Sequence, residues 1–195
     1  MKFFIILLMA SPVWAADPLI VTRKMGNDNV DITAKLILDP EAMRVEIGSA
    51  LDAGNIVVRV EWFNKSGNPL HIAPSDFVLL SRKNGERADA IAPGQIAGGT
   101  ALIVNRDTGR REFGALQNQP GFTGVAGVTK DKENDNQLLV ALKAKELLDQ
   151  IVESKDGKNK AEGLVYFSMD TKKLKTKDLS LLYAGAGGRL AIDFK

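Results

Sequence analysis

The chain has 195 residues, with 26 lysines and arginines against 24 aspartates and glutamates, one histidine and no cysteine. A net charge of +2 gives no reason to expect nucleic acid or an anionic membrane as the main partner. The missing cysteines exclude disulfides, and one imidazole leaves little for histidine-based metal or triad chemistry.

The first stretch reads as a targeting segment. Lys2, an apolar run over 3–10 and Val13-Trp14-Ala15 predict a signal peptide over 1–15, too short to span a bilayer. Its removal takes away one lysine and no acid, so 25 basic residues (26 − 1) face 24 acidic ones and the exported chain carries +1. Residues 16–195 are long enough for one domain to bury a core without disulfides. The expected location is periplasmic or extracellular.

Strands follow in order over 18–25, 30–38 and 43–47, with Asp39-Pro40-Glu41 ending the second because proline cannot donate to a ladder. Residues 55–64 read as the central strand. Val58, Val60 and Trp62 share one face, Arg59 and Glu61 the other, and Phe63 breaks the alternation. Lys65-Ser66-Gly67-Asn68 supplies a turn before Pro69-Leu70-His71-Ile72, and further strands are expected over 76–80, 86–91 and 95–104.

The pattern changes at residue 105. Residues 105–137 are polar and lack periodicity, a connection long enough to expect specialisation there. An amphipathic helix is predicted over 138–154, with Val140, Ala144, Leu147, Leu148, Ile151 and Val152 on one side and Lys143, Glu146, Asp149 and Glu153 on the other. Strands over 163–169, 178–183 and 190–194 then read as a meander. The sum is a mostly β chain: an antiparallel β-sandwich of about nine strands with one inserted amphipathic helix.

Each chemical constellation has a plainer structural reading. His71 beside Ser75 and Asp76 reads as a turn histidine, since a nucleophile, base and orienter must converge in space. Asp131, Glu133 and Asp135 alternate as calcium ligands do, but Asn136 and Leu142 stand where the glycine and closing glutamate belong, so the run reads as a helix cap. Gly121, Gly124 and Gly127 lack the strand-to-helix context of a nucleotide cradle. Trp62 reads as core, and Lys172, Lys173, Lys175 and Lys177 as a solubilising turn. Arg106, Arg110 and Arg111 could grip an anion, although Asp107 and Glu112 stand beside them. No catalytic, metal or cofactor residue set emerges.

The strings Val60-Glu61-Trp62-Phe63-Asn64-Lys65-Ser66-Gly67, Ser75-Asp76-Phe77-Val78-Leu79 with Gly85, Glu162-Gly163-Leu164-Val165-Tyr166-Phe167 and Leu179-Ser180-Leu181 resemble bacterial exported immunoglobulin-like domains of unknown function. The likeness runs from residue 56 to the C-terminus. It implies an immunoglobulin-like sandwich and export, and it brings no catalytic residues. The chain departs from that pattern in the 105–137 insertion and in lacking the cysteine pair many immunoglobulin domains place beside the strand tryptophan.

The expected function is therefore an exported, non-enzymatic binding or adaptor module for another protein or an envelope component. Its partner surface is expected on the insertion, at Arg106, Arg110, Arg111, Phe113 and Phe122, with Leu116 completing an apolar patch. Two alternatives stand beside it: an exported hydrolase or lyase using carboxylates and arginines from distant strands, and a small-ligand or ion carrier. No nucleic acid, membrane span or cofactor is expected, and the sequence leaves the oligomeric state open.

Overall fold

A computed structural model describes residues 19–97, 132–155, 157–170 and 174–195, with the side chains of 132–134 left out. The chain is mostly β, in antiparallel sheets. β3 (Asn55–Asn64) lies between β2 (Val30–Ile37) and β8 (Lys160–Ser168), and β1 (Ile20–Gly26) pairs with the far side of β2. The second sheet runs β10 (Gly188–Asp193), β9 (Leu179–Gly185), β5 (Phe77–Ser81), β6 (Arg87–Asp89). A two-stranded ladder joins β4 (Leu70–Ile72) to β7 (Gln150–Val152). No closed barrel forms among these strands.

One core is shared by both sheets. The face of β3 carrying Ile56, Val58, Val60 and Trp62 meets Ile32, Ala34 and Leu36 of β2, and Phe77, Leu79, Leu181, Tyr183 and Ile192 of the second sheet. The alternation of β3 thus does what its sequence specifies. Phe63, out of pattern, stays half-buried on the other face, with Lys160 Nζ 5.5 Å above its ring.

That other face of the first sheet is apolar at one end. There Ile37, Val57, Leu164 and Tyr166 pack under helices α1 (Pro40–Ile47), α2 (Pro93–Ala97) and α3 (Lys132–Lys145), through Met43, Ile47, Ala97 and Leu142. Tyr166 Oη donates to Leu142 C=O at 3.0 Å, tying β8 to the helix above it.

Several sequence expectations are corrected. Residues 43–47 are helical, not extended. The Asp39 carboxylate accepts from Ala42 N–H at 3.0 Å, Pro40 occupies the first turn, and Gly48 at φ 90° closes the end with its N–H on Arg44 C=O. Residues 93–97 form α2 in place of the start of a strand, and residues 98–104 lie outside the described part.

The 138–154 helix is likewise corrected: α3 starts at Lys132 and stops at Lys145. Beyond it Glu146 bridges Leu164 in parallel, and Leu147 N–H donates to Leu164 C=O at 2.9 Å. A Cβ on Gly163 would lie 2.4 Å from the Leu147 Cα, so only glycine lets this segment lie so close to β8. The apolar residues at helical spacing after Lys145 are instead an extended segment that buries Leu147 and Val152 and exposes Ile151.

The proposed meander does not form either. β9 and β10 make a hairpin, whereas β8 crosses to the first sheet beside β3. Its two faces are both covered, Val165 and Phe167 by the shared core and Leu164 and Tyr166 by the helices. With β7 added, the described residues form ten strands, three α-helices and two 3-10 turns.

Candidate functional site

Past the helices, the outer face of the first sheet turns from apolar to charged, and the change happens at Arg59. The register sets Arg59 between Lys35 and Leu164, and Glu61 between Thr33 and Glu162. Arg59 Nη1 donates to Glu46 Oε1 of α1 at 2.7 Å and its Nη2 to Glu162. Lys35 reaches Glu46 at 3.5 Å, and Lys160 reaches Glu162 at 2.8 Å and Glu61 at 3.3 Å. Alternating charge across neighbouring strands therefore satisfies itself.

Where this ladder meets the end of α3, a cleft of about 420 Å³ opens, lined among others by Glu46, Arg59, Lys143, Glu146, Leu148 and Glu162. Its carboxylates differ. Hydrogen bonds from Lys160 and then Arg59 hold Glu162 below its ordinary value, while burial pushes Glu146 above it against the weaker pull of Lys143. The same pairings with Glu162 raise Arg59 and Lys160. An arginine held by two carboxylates has few donors left for a ligand, whereas Glu146 lines the cleft with its acidity weakened by burial.

The sequence-derived candidates fall elsewhere. Arg106, Arg110, Arg111, Phe113, Leu116 and Phe122 lie outside the described residues, as do Asp131 and the side chain of Glu133. His71 stands exposed on β4, its Nε2 2.6 Å from Asp149 Oδ1 across the β4–β7 ladder, an orienting partner with no nucleophile among its described contacts. Asp76 accepts from Ala73 N–H at 2.9 Å at the 3-10 turn Pro74–Asp76. Trp62 is fully buried. The cleft was missed as a cleft because its residues come from α1, β3, β8 and the end of α3; the polar face of β3 and the polar side of the predicted helix, with Lys143 and Glu146, signalled single residues but not their meeting.

Among the described residues no group of three or more histidine, aspartate or glutamate side chains is placed to hold a metal ion. No described helix is long and apolar enough to cross a membrane. No protein-family model matches the chain, and no curated protein matches it. A crystal structure from Bacillus subtilis subsp. subtilis strain 168, described as a "putative lipoprotein", is similar at 9% identity with a TM-score of 0.40; the match covers 88% of this chain and 38% of that one. The chain thus spans well under half the length of that protein.

Proposed function

We propose that this chain is an exported, non-enzymatic binding module with an immunoglobulin-like sandwich as its scaffold, and that it recognises a protein or an envelope component through the 105–137 insertion, less residues 132–137, which belong to α3; the insertion so trimmed lies within residues 98–131, between α2 and α3. The observation that carries this reading is how the ends of that segment are held. α2 leads into it and α3 leads out, and the two helices pack on the same apolar end of the first sheet through Ala97 and Leu142. A long segment between two anchored helices is the arrangement by which rigid scaffolds present recognition loops. The same layer also exposes apolar side chains, Val45 on α1 and Val140 on α3, with Leu148 just beyond it.

The test is a chemical crosslinking experiment in envelope extract with the wild-type protein and with a variant carrying serine at Arg106, Arg110, Arg111, Phe113 and Phe122. The expected result is a saturable adduct that the variant loses at unchanged melting temperature. An adduct that persists in the variant overturns the reading, and so does a large drop in the variant's melting temperature, which would make the segment structural.

The hydrolase or lyase reading keeps one supporting observation. Glu146 and Glu162 line one cleft with their acidities pushed in opposite directions, the split that general acid and base roles require. Turnover of any ester or glycoside in a substrate panel, abolished by Glu146→Gln, would favour it over the binding module.

A further inference from the structure

The helices pack on the first sheet, and the outward side chains of the second remain partly open. On that face Val78 of β5 lies opposite Leu182 of β9, which lies opposite Ala191 of β10, so one apolar row crosses three strands. The row floors a trough of about 500 Å³, within the size range of small-molecule sites. Two arginines stand at its margins. Arg87 lies on edge strand β6, two residues to one side of the row, and Arg189 on the opposite edge strand β10, two residues to the other side beside Ala184. The structure records no ion pair of either with a described residue.

The two ends differ in charge. Asp76 shares the Arg189 end, where it already accepts from Ala73 N–H. Asp89 follows Arg87 on the same face of β6, directly opposite Val78 at the end of the row, and is outside the trough's lining. The Arg87 end is therefore the one with an unmatched cation in the lining.

We propose that this trough binds a single-chain anionic amphiphile, with the acyl chain on Val78, Leu182 and Ala191 and the acidic head at Arg87. The floor decides between an acyl chain and a peptide. Its side chains are apolar, and the strand backbone beneath them is already committed to ladder bonds. A peptide crossing it would bury its own N–H and C=O groups without partners, whereas an acyl chain has none to lose. The head favours an anion because an unpaired guanidinium offers a planar fork to carboxylate or phosphate. This site lies outside residues 98–131 and does not depend on them.

The test is isothermal titration of the purified protein with dodecanoate below its micelle concentration. Dodecyl phosphate serves as a second anionic head, and dodecyltrimethylammonium and dodecyl maltoside as cationic and uncharged controls with the same tail. Expected is one saturable site for the anionic amphiphiles, at least tenfold weaker in Arg87→Ala and lost in Ala191→Glu, which sets a carboxylate on the exposed floor. A far-ultraviolet spectrum checks that each variant folds; Arg87 is exposed, so its variant alone carries the test if Ala191→Glu does not fold. No saturable binding, equal binding of the cationic amphiphile, undiminished binding by the folded variants, tighter binding of an acidic peptide, or binding confined to anionic vesicles would each overturn the proposal.

Discussion

Trp62 shows how far one residue can be read from its neighbours and where that reading stops. Alternation places it inside, and it is fully buried between the sheets. What alternation does not show is that its indole N–H has no hydrogen-bond partner there. Burial raises the Tyr183 phenol, outweighing the Gly187 N–H and, after it, the nearby indole, both of which lower it. The indole nevertheless lacks hydrogen-bond geometry, so the fold carries an unsatisfied buried donor, a cost of about 1–3 kcal/mol. Two substitutions separate volume from polarity. Trp62→Ala is expected to lose about 3–5 kcal/mol through the cavity it leaves, whereas Trp62→Phe keeps most of the ring and removes the unpaired donor, for a loss below about 1.5 kcal/mol. Urea titration of both variants checks this. A Trp62→Phe loss well above that bound would mean that the indole N–H is hydrogen-bonded in the fold.

At the scale of elements, the strands of the two main sheets are legible where one face is buried and the other wet, as in β2 and β3. The misreadings share a cause: a short apolar pattern fits two periods. Met43, Val45 and Ile47 alternate as a strand would, yet Met43 and Ile47 are also four apart, one turn of helix. Asp39-Pro40-Glu41 reads equally as a strand stop and a helix start. Val45 settles the period, because a strand would bury it with its two neighbours and it is 83% exposed. Val45→Glu should therefore leave the melting temperature within a degree or two, as surface substitutions do. Met43→Ala should cost about 2–5 kcal/mol, since it opens a hole above Ile37 and Val57. Thermal denaturation of the pair is the check, and comparable losses would return the segment to a strand. The end of α3 was illegible for a different reason. It stops where Gly163 lets Leu147 dock on β8, a contact 16 residues away in sequence that no local pattern encodes.

For the whole molecule, the sequence conveys a balanced charge but not its arrangement, because Glu46, Arg59, Lys35, Glu61, Glu162 and Lys160 meet only through strand register and the docking of α1. That arrangement sets a dependence on pH. Asp31 is held below its ordinary 3.8 chiefly by Lys65, Glu162 below 4.5 by Lys160 and then Arg59, and Asp193 below 3.8 by the Ser180 hydroxyl ahead of Arg82. A carboxyl with a depressed folded pKa gives stability that is complete above its unfolded value and lost as pH falls through the folded one. Glu146 runs the other way: raised by burial, it favours the fold below its ordinary 4.5 and withdraws that support as pH rises through its folded value. Three groups oppose one, so the melting temperature should hold from pH 7 to about 5 and fall between pH 4 and 3. Salt should shrink the fall, because these pairs lie at the surface. Glu162→Gln should flatten the acid limb, whereas Glu146→Gln should raise the melting temperature at pH 7 and converge on the wild type in acid. Scanning calorimetry at pH 7, 5, 4 and 3 reads all four expectations, and a wild-type melting temperature that stays level or climbs between pH 4 and 3 would mean that the paired carboxylates do not hold this fold together.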